Sequence, residues 1–258
     1  MPKKYALPTA VVAVAMLTAA TASALDAPHV RARPDASVPV KAPPPLRPLP
    51  RPAPKRRPAG VTVEHVRAGG KVNLHAKPNG RVIAHVGPRT QFGSPQTLSV
   101  AARRGSWLGV INEDVSNGGV AWVKAKGRSL KPRRTDMVLR VNVERKRLEL
   151  VDGNRVERRM SVGVGRPGSA TPKGRFSVTD KLSGRRYGGT YGCCILALSG
   201  RQPHVPPGWR GGDRLAIHGT NDPGSIGRRS SAGCLHADAR DLRLLMRRVS
   251  LGTPVVIH

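Results

Sequence analysis

The chain has 258 residues, room for one or two ordinary domains, and carries 45 Lys and Arg against 15 Asp and Glu, a formal net charge of +30. No apolar run reaches the roughly 18–20 residues of a membrane-spanning helix, which excludes a polytopic membrane protein. The charge calls for an anionic partner, and with aromatics at 3% any core must be built of Val, Leu, Ile and Ala.

In chain order, Pro2-Lys3-Lys4, an apolar run from about Ala6 to Ala20 and then Ala22-Ser23-Ala24 form the three parts of a secretory signal peptide, residues 1–24. An exported protein of this charge meets lipid headgroups and cell-wall polymers, so nucleic acid is not expected as a partner. Residues 25–58 hold eleven prolines, and eight Lys or Arg against two Asp. The spacing around Pro45-Leu46-Arg47-Pro48-Leu49-Pro50 favours extended polyproline II, which at ~3.1 Å per residue reaches on the order of 100 Å. This linker reads equally well as an inert spacer and as a segment that lies along an anionic surface.

From Val61 to about Gly127 the pattern changes to short alternating strands. The candidates are Val72–Leu74, Val82–Ala84, Leu98–Val100, Trp107–Ile111 and Val120–Val123, separated by turns such as Pro78-Asn79-Gly80 and Asn117-Gly118-Gly119. Five strands in this length predict a small barrel. Asn73-Leu74-His75-Ala76-Lys77-Pro78, Gly105-Ser106-Trp107-Leu108 and Gly119-Val120-Ala121-Trp122-Val123 resemble a bacterial SH3-like domain, spanning 59–130. Trp107 and Trp122 are then residues of its core or of a groove.

A third segment, 136–258, opens with alternation over Met137–Val143. Arg147–Val151 then leads through Asp152-Gly153-Asn154 into Val156–Val164, a hairpin signal. Phe176–Val178, Cys193–Leu198, Arg214–His218 and Pro254–Ile257 read as further strands. Asp238–Val249 alone reads as a helix, with Asp238 as its N-cap and Leu242, Leu245, Met246 and Val249 on one face. The chain is therefore mainly β.

The chemistry concentrates where His218-Gly219-Thr220 ends a strand and Ser231-Ala232-Gly233-Cys234 follows an irregular loop. A thiol nucleophile needs a base within reach, backbone donors for an oxyanion and an open approach, and glycines beside both residues allow that approach. A buried free cysteine beside a structural histidine fits the same residues.

His218-Gly219-Thr220-Asn221-x-Pro223-x-Ser225-Ile226-Gly227, with Ser231-x-Gly233-Cys234 after it and Thr171-Pro172-Lys173-Gly174-Arg175-Phe176 before it, resembles the L,D-transpeptidase (YkuD-type) catalytic domain over about Met137–His258. The resemblance implies a β-sandwich that crosslinks peptidoglycan stem peptides through a cysteine thioester. It implies Cys234 as nucleophile and His218 as general base, with the Gly219 carbonyl orienting the ring. Gly233 and Cys234 N–H groups would form the oxyanion hole, and Ser231 would hold the loop. Ala232 and His236 stand where many members carry histidine and an arginine or asparagine, and His236 takes the place of a substrate or loop contact.

Tyr187 and Tyr191, in the glycine-rich loop 184–192, are candidates to line the substrate groove. Trp209, after Pro206-Pro207-Gly208, is a candidate flap residue. Cys193-Cys194 sits in an apolar strand, where neighbours point to opposite faces and a disulfide between them would be strained, so two packed thiols are expected, the alternative being redox partners for each other or for Cys234. Neither Cys-x-x-Cys nor His-x-x-x-His spacing occurs, so no metal or cofactor is expected. The expectation is an exported, monomeric L,D-transpeptidase acting on stem peptides and held near anionic cell-wall polymers. Water as acceptor would make it an L,D-carboxypeptidase, and a degenerate site would leave a wall-binding protein.

Charge attraction of this kind is screened over about 8–10 Å at physiological salt. Cosedimentation with isolated wall sacculi should therefore fall steeply as salt rises and weaken when residues 25–58 are deleted. Binding that responds to neither change would contradict an electrostatic attachment.

Overall fold

A computed structural model describes residues 63–126 and 129–258. The signal-peptide and linker readings lie outside the described residues. Among these, sixteen strands and one α-helix make the protein mainly β.

The N-terminal part is a seven-stranded sheet: β1 (Val63–Ala68), β2 (Val72–His75), β3 (Val82–Val86), β4 (Thr97–Arg104), β5 (Trp107–Ile111), β6 (Ala121–Lys124) and β7 (Leu130–Thr135). Its order is β3-β2-β6-β5-β4-β1-β7. The five expected strands are present, and the sequence reading missed β1 and β7. Strand β7, Leu-Lys-Pro-Arg-Arg-Thr, extends the sheet past residue 130 by pairing along all of β1. Its proline and three cations read as linker, yet they suit a strand with an open edge. Leu74, Leu98, Leu108, Val110 and Val123 fill the core of this sheet. Trp107 and Trp122 are both buried. Trp107 also lines a groove with His75, whose ring it meets edge-on at 5.0 Å.

The C-terminal part contains β8 (Met137–Asn142), β9 (Arg147–Asp152), β10 (Arg155–Gly165), β11 (Gly174–Ser183), β12 (Cys194–Arg201), β13 (Arg214–His218), β14 (Arg229–Ser231), β15 (Leu235–Ala237), helix α1 (Ala239–Arg248) and β16 (Pro254–Ile257). The strand order is β14-β10-β15-β13-β12-β11-β16-β8-β9, and β9 also pairs with β10. The long β10 switches partner midway: Arg155–Ser161 pair with β9, and Val162 and Gly163 pair with β15. The pairings therefore run in a closed circuit, with β14 attached outside it.

Alternation along the strands sends Leu139, Leu150, Phe176, Leu196, Ile217 and Leu235 into one core. Helix α1 adds Leu242 and Leu245 to that core. Its N-cap is Asp238, whose carboxylate accepts from Arg240 N, and Asp241 in the first turn takes two hydrogen bonds from Arg158.

Cys193 and Cys194 form a disulfide, which corrects the expectation of two separate thiols. Alternation does not apply to the pair. Cys193 is a turn residue outside β12, which begins at Cys194.

Candidate active site

The site is laid down by a parallel pair of strands. In β13 and β15, Ile217 lies opposite Leu235, and His218 lies opposite His236. Paired residues share a face and neighbours alternate. Leu215, Ile217 and Leu235 therefore point into the core, while Ala216, His218, Cys234 and His236 share the other face. Carried back one residue, the register sets Cys234 beside Ala216 and on the diagonal to His218. The small Ala216 leaves room beside the thiol, and all four residues line a cavity of about 250 Å³.

His218 is only 5% exposed although it ends an outer-facing row. Tyr191 covers it, ring centroids 4.9 Å apart, and His236 lies 4.9 Å away on the other strand. His218 Nδ1 donates to the Gly219 carbonyl at 2.5 Å, which leaves Nε2 with its lone pair. Burial lowers the His218 pKa to about 4, against a smaller opposing effect of the Gly219 hydrogen bond and a further lowering by His236. Burial raises the Cys234 thiol to about 11, offset in part by the Ala216 backbone. Its Sγ–H donates to the Arg214 carbonyl at 3.7 Å. Both shifts run the same way, so burial favours the neutral thiol and the neutral imidazole.

The Ser231–Cys234 loop is held from inside. Ser231 Oγ donates to the Cys234 carbonyl at 2.6 Å and accepts from Gly233 N at 3.1 Å. In this structure the Gly233 N–H is therefore engaged by the serine, which folds back onto it. Thr171, from the upstream motif, accepts from Gly165 N at 2.8 Å and donates to the Gly233 carbonyl at 2.9 Å. Gln202 Nε2 lies 3.0–3.2 Å from the carbonyls of Ser169, Ala170 and Ala232. Gly233 has φ +123°, and a Cβ there would lie 2.0 Å from Gln202 Nε2, so both conformation and space demand glycine.

Gly219 and Gly192 press together: a Cβ on either would stand within 2.9 Å of the other's Cα. That contact lets the loop carrying Tyr191 close over His218. His236 Nδ1 meets Ser225 Oγ at 2.8 Å. Burial lowers its pKa, and Asp222 acts in the opposite sense.

Tyr191, His236, Ser231 and Trp209 line the cavity with Cys234 and His218, whereas Tyr187 does not. Tyr187 is 42% exposed and packs edge-on against Phe92, in the connection between β3 and β4, so it leaves the groove to Tyr191. Sequence reasoning missed Gln202, Arg214 and Ala216. Ala216 was legible from the alternation of its strand, but the other two carried no motif.

Two outcomes follow from this packing. Because burial holds the His218 pKa below its unfolded value of 6.5, its contribution to stability is complete above pH 6.5. As pH falls from 6.5 toward 4, the unfolded state binds the proton first and about 3 kcal/mol is lost. His218→Ala should remove that part of the slope in denaturant titrations across this range; an unchanged slope would contradict a buried neutral imidazole. Gly233→Ala should cost about 1–3 kcal/mol from its backbone conformation alone. It should also displace Gln202, which a crystal structure of the variant would reveal.

Residues 136–257 match the L,D-transpeptidase catalytic domain family, YkuD. YkuD of Bacillus subtilis, assigned as an L,D-transpeptidase, is 33% identical over 118 residues, covering 46% of this chain and 63% of that protein. A second assigned L,D-transpeptidase of B. subtilis, YqjB, is 32% identical over 126 residues, 45% of this chain and 68% of YqjB. An L,D-transpeptidase structure from Mycobacterium smegmatis is 18% identical, with a TM-score of 0.38 over 54% of this chain and 72% of that one. The chain spans somewhat under two thirds of YkuD and somewhat over two thirds of YqjB. It belongs to the L,D-transpeptidase (YkuD) family.

Proposed function

We propose that the protein is an exported L,D-transpeptidase that joins peptidoglycan stem peptides through a thioester on Cys234. The observation that carries this reading is the register of β13 and β15, which puts Cys234 and His218 on one face and in one cavity. The Gly219 carbonyl takes Nδ1–H and leaves Nε2 as the base.

The donor stem presents the carbonyl of its L-configured diamino-acid centre. As sulfur adds to that carbon, His218 Nε2 takes the thiol proton. The C–N bond to the terminal D-Ala then breaks, and the proton passes to the departing amine. In the second half, the side-chain amine of another stem attacks the thioester carbon. Its proton travels through His218 to the leaving sulfur, which restores the thiol. The neutral resting pair means that proton transfer waits for a substrate whose developing charge is stabilised in the cavity. With Gly233 N–H held by Ser231, Cys234 N–H is the backbone donor we assign to the oxyanion.

Tyr191 and His236 wall the bound peptide beside His218. We read the seven-stranded sheet as an SH3-like domain, and the basic residues as the attachment of a monomer to anionic wall polymers.

Turnover of a stem tetrapeptide donor with an amine acceptor tests the assignment. Cys234→Ala should give no crosslinked product, and crosslinking by it above background would refute the nucleophile. His218→Ala should lose ~100–10,000-fold in kcat/KM, as loss of a general base does. His236→Ala should lose far less, and equal losses would place His236 in the proton path. Release of D-Ala without crosslinked product would identify water as the acceptor.

A further inference from the structure

We propose that Asn117, on the N-terminal sheet, is a positioning residue for the Cys234 loop. It lies in the connection between β5 and β6, and its carboxamide pairs with the peptide of Arg201 at two points. Nδ2 donates to the Arg201 carbonyl at 2.6 Å, and Arg201 N donates to Oδ1 at 2.9 Å. Two opposed hydrogen bonds from one rigid amide fix both the place and the tilt of the residue they hold. Arg201 is also gripped through its side chain, with Nε on the Glu113 carbonyl at 3.3 Å and Nη1 on Asp213 at 2.7 Å.

The next residue is Gln202. Its own N–H is fixed on the Asp213 carbonyl at 2.6 Å, and its side chain turns inward, 6% exposed, to meet the Ala232 carbonyl two residues before the thiol. The carboxamide occupies the space in which a side chain on Gly233 would stand. A chain of direct contacts thus runs from Asn117 through Arg201 and Gln202 to Ala232, Gly233 and Cys234.

The same sheet reaches the other side of the thiol. Glu113 lies 3.5 Å from the guanidinium of Arg214, both side chains being 9% exposed, and the carbonyl of Arg214 is the one that accepts from Cys234 Sγ–H. The N-terminal sheet therefore bears on the loop that carries the sulfur and on the strand beneath it. Its placement of these groups makes it part of the reacting apparatus, whatever it also binds.

This inference rests on the reading of Cys234 as nucleophile, and the test separates the two. The full-length protein, Asn117→Ala and Asn117→Asp are treated with a carbapenem at a series of concentrations. Intact mass then gives the limiting acylation rate and the half-saturating concentration separately. Asn117→Ala should lose at least about tenfold in limiting rate, the consequence of a small misplacement at a reacting centre, with half-saturation within about twofold. Asn117→Asp, which keeps the acceptor for Arg201 N, should fall between it and the parent. Circular dichroism and melting in the same buffer establish that the variants are folded at the assay temperature. A limiting rate within about twofold of the parent overturns the proposal. So does a loss confined to half-saturation, or one matched by the unfolded fraction. Absence of acylation in the parent would instead overturn the nucleophile reading, and the positioning role with it.

Discussion

The parallel pairing of β13 with β15 is the constraint on which the site depends. One register, His218 against His236, sets which residues face the core and which face the cavity. A slip of one residue would bury Cys234 in the hydrophobic core and turn Leu235 outward. The register is held from both faces. Ile217 and Leu235 are fully buried beneath it, and the serine, threonine and glutamine contacts on the Ser231–Cys234 loop fix it above.

Enclosure then decides the electrostatics. The outer face of a sheet is ordinarily wet, but the loop carrying Tyr191 and the segment carrying Trp209 cover this one. Removing water opposes both the thiolate and the imidazolium, and the hydrogen bonds to Gly219 and Ala216 do not make up the difference. The result is a pair held neutral and oriented, with one ring nitrogen committed to a carbonyl.

Much of this was legible in the residues. Glycines flanking His218 and Cys234, the upstream Thr-Pro-Lys-Gly-Arg-Phe segment and the capped helix after Asp238 all announce themselves by type and spacing. Strands β14 and β15, three residues each, are too short for alternation to be read, so the register that joins the two motifs was hidden. Strand β7 was obscured because its side chains suit an exposed edge and resemble linker. The disulfide between Cys193 and Cys194 escaped because the argument against it assumed a strand where the chain makes a turn. The engagement of Gly233 N–H by Ser231 and the bracing by Gln202 depend on segments far apart in sequence, and no local pattern carries them.

The central claim is that Cys234 is the one sulfur able to form an acyl-enzyme, with His218 as its base. Peptide mapping after brief exposure of the intact protein to a carbapenem addresses it directly. The account predicts a single adduct, on the peptide containing Cys234, formed far more slowly in His218→Ala and absent from Cys234→Ala. An adduct on Cys193 or Cys194, or one that forms at the parent rate without His218, would contradict it.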